Sequence, residues 1–236
     1  MRVTTFIAVF FCAGVVLWCL YAVGPTYYMK AKRWLQRRIT RKADTAIVLT
    51  FDDGPSPHYT ADLLDVLRSH NVRATFFVVG VFAQDNPELI RRMHREGHAI
   101  GIHSFAHENG LTMSPAKSMA DIERTRSALH DLGIAVRWYR PPWGHFNIAM
   151  LLRARHLGLR PFLWDVMAQD WLAHTSVEMI EEKLHRRTTP GSIVCLHDGR
   201  GRNRAPRRTI TALRNIIPAW KREGLLFETA DEYGAR

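Results

Sequence analysis

From Ala46 to the C-terminus, short apolar runs alternate with longer stretches in which apolar and polar residues recur at helical spacing. The runs at 46–51, 74–79, 98–102, 136–139, 161–164, 192–196 and 225–229 read as strands, and the stretches near 60–70, 87–96, 115–132, 147–157, 176–187 and 207–222 read as helices. Over 115–132, Met119, Ile122, Leu129 and Leu132 fall on one face, and Asp121, Glu123, Arg124 and Arg126 fall mostly elsewhere. That predicts an amphipathic helix with the first set turned inward. Asn86-Pro87-Glu88 reads as a helix start, with Asn as cap and Pro in the first turn. Gly97, Gly133, Gly158 and Gly224 each follow a helix, where a left-handed cap is expected. Seven strands, each alternating with a helix, predict parallel β/α units and one α/β domain over 46–236, without internal repeat or low-complexity tract.

The first 45 residues break this pattern. Phe6 to Val23 is a stretch of 18 apolar or small residues, and the uncharged run extends from Val3 to Met29. A membrane span needs roughly 17–25 such residues. Trp18, Tyr21, Tyr27 and Tyr28 suit the membrane interface. Residues 1–25 therefore read as an uncleaved transmembrane anchor. The rival is a cleaved signal peptide, since Ala22-Val23-Gly24 is a tolerable cleavage site. Residues 26–45 read as a basic juxtamembrane linker. Tyr27, Ala31, Trp34, Leu35 and Ile39 recur there at helical spacing among Lys and Arg, which suits either an amphipathic helix on anionic lipid or a solvated linker helix.

Charge changes the picture in one respect. A net charge of +11 on 236 residues would suggest nucleic acid. Of the 33 Lys and Arg, however, eight lie in residues 1–45 with the single acid Asp44; the other 25 face 21 acids, a net of only +4. A nucleic-acid partner is not expected. Seven positive charges follow the apolar segment while only Arg2 and the amino terminus precede it, which by the positive-inside rule puts the domain in the cytoplasm. The three cysteines, Cys12, Cys19 and Cys195, imply neither a disulfide framework nor a CxxC metal site, and Cys195 reads as a small buried residue.

Laid on the strand pattern, the chemistry-bearing residues fall on one side. Asp52 and Asp53, in "TFDDGP", follow the first strand, and His103 and His107, in "HSFAH", the third. Arg140, in "RPPWG", follows the fourth; Asp170 and Trp171 come a few residues after the fifth; His197, in "VCLHDG", follows the sixth. The C-terminal ends of parallel strands form one rim of a β/α barrel, and active sites sit there. One Asp and two His are three ligands that leave a catalytic Zn²⁺ an open position. Singly these signals are weak. With 12 His a pair at i, i+4 is unsurprising, and a lone Asp pair is more often a solvated turn. Together across one rim they gain weight. One aspartate can bind a metal, whose charge offsets the repulsion, while the other accepts a proton. Arg140 could hold a carboxylate such as Asp52. His197 could serve as a general acid, and Trp143 and Trp171 as a sugar-stacking wall or as core.

In their order and spacing, "TFDDGP", "HSFAH", "RPPWG", "DW" and "LH" resemble the polysaccharide deacetylases of the NodB-homology type, carbohydrate esterase family 4, from about Ala46 to the C-terminus. The resemblance implies a distorted (β/α)7 barrel, here preceded by an N-terminal transmembrane helix, that hydrolyses the N-acetyl group of a sugar and releases acetate. It implies Asp52 as the base, and Asp53, His103 and His107 as ligands of one divalent metal, with Zn²⁺ first among the first-row candidates. It further implies Arg140 orienting the base, the Trp143 backbone N–H at the oxyanion, Asp170 orienting His197 as general acid, and Trp171 lining the groove. Met167 stands where the family often carries an acid, which bears on groove polarity and substrate. The expected partners are an N-acetylated glycan and, through residues 1–45, membrane lipid. The expected place is the cell membrane with the domain outside, where the family's usual cell-wall substrates lie, against the flanking charge. Two alternatives stand beside this reading: a deacetylase or deformylase of a lipid-linked sugar, and a non-catalytic glycan-binding membrane protein on the same scaffold.

Overall fold

A computed structural model of the chain describes residues 2–40 and 46–235. Two helices come first, α1 (Arg2–Trp18) and α2 (Gly24–Thr40), joined through a π-helical turn at Cys19–Val23. After them run β1 (Ala46–Asp52), α3 (Thr60–Ser69), β2 (Thr75–Val79), α4 (Gly80–Asp85), α5 (Pro87–Arg95), β3 (Ala99–Ser104) and α6 (Pro115–Asp131). Then come β4 (Trp138–Tyr139), α7 (Ile148–His156), β5 (Arg160–Pro161), β6 (Val166–Met167), α8 (Val177–Arg187), β7 (Ile193–His197), α9 (Ala205–Arg222), β8 (Leu226–Glu228) and α10 (Ala230–Gly234).

All strand pairings are parallel, in the order β5-β4-β3-β2-β1-β7-β6, with β8 added beside the first half of β1. β1, β2 and β3 are buried along their whole length, as strands covered on both faces must be. The sheet curls into the expected distorted barrel with one seam, since β5 and β6 do not pair. Residues 162–165 cross that seam: the Phe162 N–H donates to Tyr139 O (2.9 Å) and the Asp165 N–H to Ile193 O (2.9 Å).

The seam explains where the pattern misled. A strand over 161–164 is replaced by two-residue β5 and β6. Pro161 has no N–H to give a ladder, and the Phe162 carbonyl accepts instead from Arg140 Nε (2.9 Å). α6 keeps Ile122 and Leu129 of its expected face in the core, but departs from it at two positions: Met119 is exposed, while Asp121 is buried. Asn86 caps no N–H of α5; its Nδ2 donates back to Phe82 O (3.0 Å), joining α4, which has no clear signal in the sequence, to α5. The four glycine caps do lie in the left-handed region, with φ of 71° to 82°.

α2 is docked on the domain by one face. Thr26 Oγ1 donates to Phe146 O (3.1 Å) and accepts from Phe146 N (2.9 Å). Met29 is buried, and buried Arg33 reaches the seam, donating from Nε to Asp165 Oδ1 (3.0 Å), from Nη2 to Asp165 Oδ2 and from Nη1 to the Tyr233 hydroxyl (2.7 Å). Higher up, Trp18 Nε1 donates to Leu111 O (3.1 Å). The basic segment is thus not a helix solvated all round. Its outer face, with Tyr27, Tyr28, Trp34 and Leu35, remains exposed, as do most large apolar side chains of α1. Residues 41–45 of the expected linker lie outside the described residues. The helical stretch Thr5–Arg38 is long and apolar enough to cross a membrane, by length and composition.

Arg33→Ala leaves buried Asp165 with only Arg37 Nη1, at 4.0 Å, as its cation, so the cost should approach but stay below the roughly 3–5 kcal/mol of breaking a buried pair outright. The expected outcome is a clear drop in the thermal unfolding midpoint of the detergent-solubilised full chain. An unchanged midpoint would show that α2 contributes no tie across the seam.

Candidate active site

Each of the nine residues singled out in the sequence lies at or just beyond the C-terminal end of the sheet, where β1 ends at Asp52 level with His197 of β7 and Phe77 of β2. Asp52, Asp53, His103, His107, Trp143, Trp171 and His197 line one open cavity of about 1470 Å³; Arg140 and Asp170 sit behind it, fully buried. The volume exceeds the roughly 300–1,000 Å³ of a site for a drug-sized molecule, so it has room for more than one sugar ring.

The two aspartates face different partners. Asp52 Oδ1 accepts from Arg140 Nη1 (2.7 Å), which also donates to Thr50 Oγ1 (2.7 Å). Its other oxygen lies 3.4 Å from Cys195 Sγ, a donor. Cys195, read from sequence as a plain core residue, therefore touches the base candidate. Burial, then the charge of Asp52, pushes its thiol well above the usual range, so it stays protonated. Asp53 turns the other way. Its Oδ1 lies 3.1 Å from His103 Nε2 and 2.9 Å from His107 Nε2, yet no hydrogen bond of acceptable angle joins it to either ring. One carboxylate oxygen and two imidazole nitrogens, from two buried residues and the part-buried His107, lie within 4.8 Å of one another, a donor set that fits a metal ion. Burial would raise the Asp53 carboxyl, but the two imidazoles beside it hold it well below the ordinary carboxylate range.

His197 is oriented by Asp170. Asp170 Oδ1 is 2.9 Å from His197 Nδ1, and Oδ2 accepts from the His197 N–H (2.9 Å) and Thr209 Oγ1 (2.8 Å). With Nδ1 engaged, Nε2 is the ring nitrogen left to exchange a proton with a ligand. Burial lowers the imidazole, and Asp170, followed by Asp53 and Asp52, raises it further, to about 9. Each tryptophan flanks a histidine edge-to-face: Trp143 on His107 with centroids 4.7 Å apart, and Trp171 on His197 at 4.9 Å. Trp143 is half exposed, as a stacking surface should be and a core residue should not. Met167 lines the cavity as well.

The local backbone is bent to make this possible. Among the described residues, seven other than glycine have positive φ, and four are Asp53, His107, Trp143 and Gln169, the last next to Asp170. Such conformations persist only where surrounding structure holds them, and they concentrate at functional sites. A Cβ on Gly199 would lie 1.9 Å from the Asp53 carbonyl oxygen, so only glycine lets the turn after β7 pack behind Asp53.

Two buried carboxylates were not foreseen. Asp121 Oδ1 accepts from Ser104 Oγ (3.0 Å) and the Phe105 N–H (3.0 Å), and so fixes the start of the "HSFAH" turn. Asp198 accepts from Thr60 Oγ1; burial first, then the charges of Asp53 and Asp52, raises it to about 7. Asp121 carried one available signal, an acid within a turn of an apolar helical face. "HDG" simply resembled a polar turn.

His197 in its protonated form persists up to about pH 9, so an activity that needs its proton should hold below that pH and decline above it. In Asp170→Asn the largest upward influence on the imidazole is gone, and the alkaline limb of the kcat profile should move to lower pH. A limb that stays in place would show that Asp170 does not act through His197.

The comparisons agree with the geometry. The polysaccharide deacetylase family profile matches residues 40–162. A peptidoglycan-N-acetylglucosamine deacetylase of Bacillus cereus is 37% identical over 188 residues, covering 79% of this chain and 86% of the relative. A chitooligosaccharide deacetylase of Azorhizobium caulinodans is 35% identical over 201 residues, covering 81% and 95%. The crystal structure of the Bc1960 peptidoglycan N-acetylglucosamine deacetylase, in complex with 4-naphthalen-1-yl-N-oxidanyl-benzamide, superposes with a TM-score of 0.76 at 31% identity, over 80% of this chain and 88% of that one. The family match takes in the paired aspartates and the histidine pair, and the relatives and the solved structure each cover about four-fifths of the chain: the chain belongs to the polysaccharide deacetylase family, the NodB-type carbohydrate esterases of family 4.

Proposed function

We propose that the protein is a metal-dependent N-deacetylase that removes the acetyl group from N-acetylglucosamine residues of a glycan. One observation carries this reading: neighbouring aspartates on one strand end are divided between Arg140 and a histidine pair, in a cavity that also holds His197 on Asp170. Asp53, His103 and His107 would hold the metal, and two imidazoles with one carboxylate suit Zn²⁺. When bound there, the metal supplies Lewis acidity, making a water more acidic and a carbonyl more electrophilic. The remaining work falls to this chain's own groups. Asp52, held in place by Arg140, accepts the proton of the attacking water. The Trp143 backbone N–H donates to the oxyanion. His197 gives its proton to the departing sugar amine, and Asp170 holds the imidazole in place for that transfer. Trp143 and Trp171 offer faces for the sugar rings.

The Bacillus cereus and Azorhizobium relatives act, by name, on peptidoglycan and on chitooligosaccharide, and either glycan suits a cavity of this length. We place residues 1–25 in the membrane as an anchor. The domain of 46–236 lies outside, where peptidoglycan is, because long domains cross regardless of flanking charge. Protease added to intact, wall-stripped cells should digest it, and full protection would put the domain in the cytoplasm.

The two aspartates should fail differently. Asp53→Asn should lower metal affinity, and excess Zn²⁺ should recover part of the acetate release. Asp52→Asn should still bind one metal, lose about 10²–10⁴-fold in turnover, and show no rescue. Metal stoichiometry and acetate release across a Zn²⁺ titration measure both. The reverse pattern would exchange the two roles, and near-wild-type rates in both variants would remove the mechanism.

A further inference from the structure

Two basic stretches that the chemistry does not use both reach the cavity. The first is α2. Lys30, one residue past buried Met29, lines the cavity beside His145, and His145 is held below its ordinary range by burial and then by the Lys30 charge. The second is the stretch "GRGRNRAPRR", which makes up most of the loop after β7 and the first turn of α9, and from which Arg200 and Arg202 line the same cavity.

That loop is built rather than loose. The Arg202 N–H donates to Trp171 O (3.0 Å). Gly201 has φ +140°, and a Cβ there would lie 3.2 Å from Trp171 Cα and 2.4 Å from Ala205 Cβ. Arg208 fastens the loop from its far end, donating to Thr175 O (2.8 Å), Leu172 O (2.7 Å) and Asn203 O. Arg202 and the groove tryptophan Trp171 are therefore positioned together.

The charge balance of the cavity is one-sided. Asp52 is committed to Arg140, Asp53 to the histidine pair, and Asp165 to Arg33. Among the described residues, no carboxylate pairs with Lys30, Arg200 or Arg202. Elsewhere Arg68, Arg73, Arg91, Arg92 and Arg153 each have an acid partner. Unpaired cations converging on a cleft attract anions to it.

We propose that Lys30, Arg200 and Arg202 form an anion-reading rim, so that the glycan taken by this site carries carboxylate or phosphate groups close to the N-acetylated sugar. The proposal deepens the deacetylase reading and rests on it. It gives α2 a part in substrate choice: a domain trimmed to residue 46 has lost one of the three cations. It also fits Met167, whose thioether puts no negative charge into the cavity to oppose such a substrate.

The test uses the metal-loaded full chain in detergent and three substrates. These are a neutral chitooligosaccharide, a peptidoglycan fragment with free carboxylates, and N-acetylglucosamine carried on a lipid diphosphate. At low salt, kcat/KM for an anionic substrate should exceed that for the neutral one, and added salt should erase the preference. The arm that shows the preference distinguishes carboxylate from phosphate. Lys30→Glu and the Arg200→Glu/Arg202→Glu pair should each lower the anionic-to-neutral ratio by about tenfold, through KM. Lys30→Arg should keep it. Calorimetric binding of the same ligands to Asp52→Asn should follow the same order. Equal kcat/KM for all three substrates at low salt overturns the rim, as do losses of equal size on neutral and anionic substrates in the charge-reversal variants. Binding that keeps the anionic preference while no substrate releases acetate supports the rim and sinks the deacetylase reading.

Discussion

Arg140 carries a full positive charge inside the barrel with no access to solvent. Such a charge is stable only when paired and hydrogen-bonded, since desolvation costs several kcal/mol per ion. The fold meets most of that demand from four directions, through Asp52 and Thr50 of β1, the Phe162 carbonyl at the seam, and the faces of Phe77 and Trp164, at 4.1 and 5.4 Å from the guanidinium, while Nη2 has no hydrogen-bond partner among the described residues. The arrangement locks β4 to β1 through side chains, across two strands that separate them in the sheet. It also decides which of two adjacent aspartates is which. Once Asp52 is committed inward, the left-handed backbone at Asp53 (φ 74°) turns the next carboxylate toward the histidines.

How much of this was legible depended on whether a segment's structure is local. β1 is a seven-residue buried run, and its apolar pattern shows it directly. β4, β5 and β6 are two residues each, defined by what they pair with rather than by any periodicity, so the run at 161–164 was misread. The rim residues were visible because parallel topology sends every β-to-α turn to one end of the barrel. Their supports were not. Asp121 faces inward because a turn from another element needs two acceptor contacts, and a hydrophobic face computed from spacing counts it as polar and outside.

α2 gives the sharpest case. Its docked face is Thr26, Met29 and Arg33, two of them polar, spaced one and two turns apart. The apolar residues that marked the helix in the sequence, Tyr27, Trp34 and Leu35, point the other way. Amphipathicity identified the helix and inverted its orientation, because the contact is made by hydrogen bonds and a buried ion pair instead of a greasy stripe. The seam is the cause: an unpaired gap in a sheet exposes polar groups, and a polar helix face is what satisfies them.

A docked α2 also changes what kind of object the N-terminal end of the molecule is. Seventeen helical residues at 1.5 Å each make a strut about 26 Å long, continuous through the π-helical turn with α1 and fastened to the barrel at Phe146 and Asp165. A flexible tether would let an enzyme sweep a hemisphere of glycan above its anchor. Were α1 embedded in a bilayer, such a strut would confine the mouth of the cavity to a thin shell parallel to it, so that the protein would modify strands by their altitude as well as by their chemistry, and lateral diffusion would become its only way of searching.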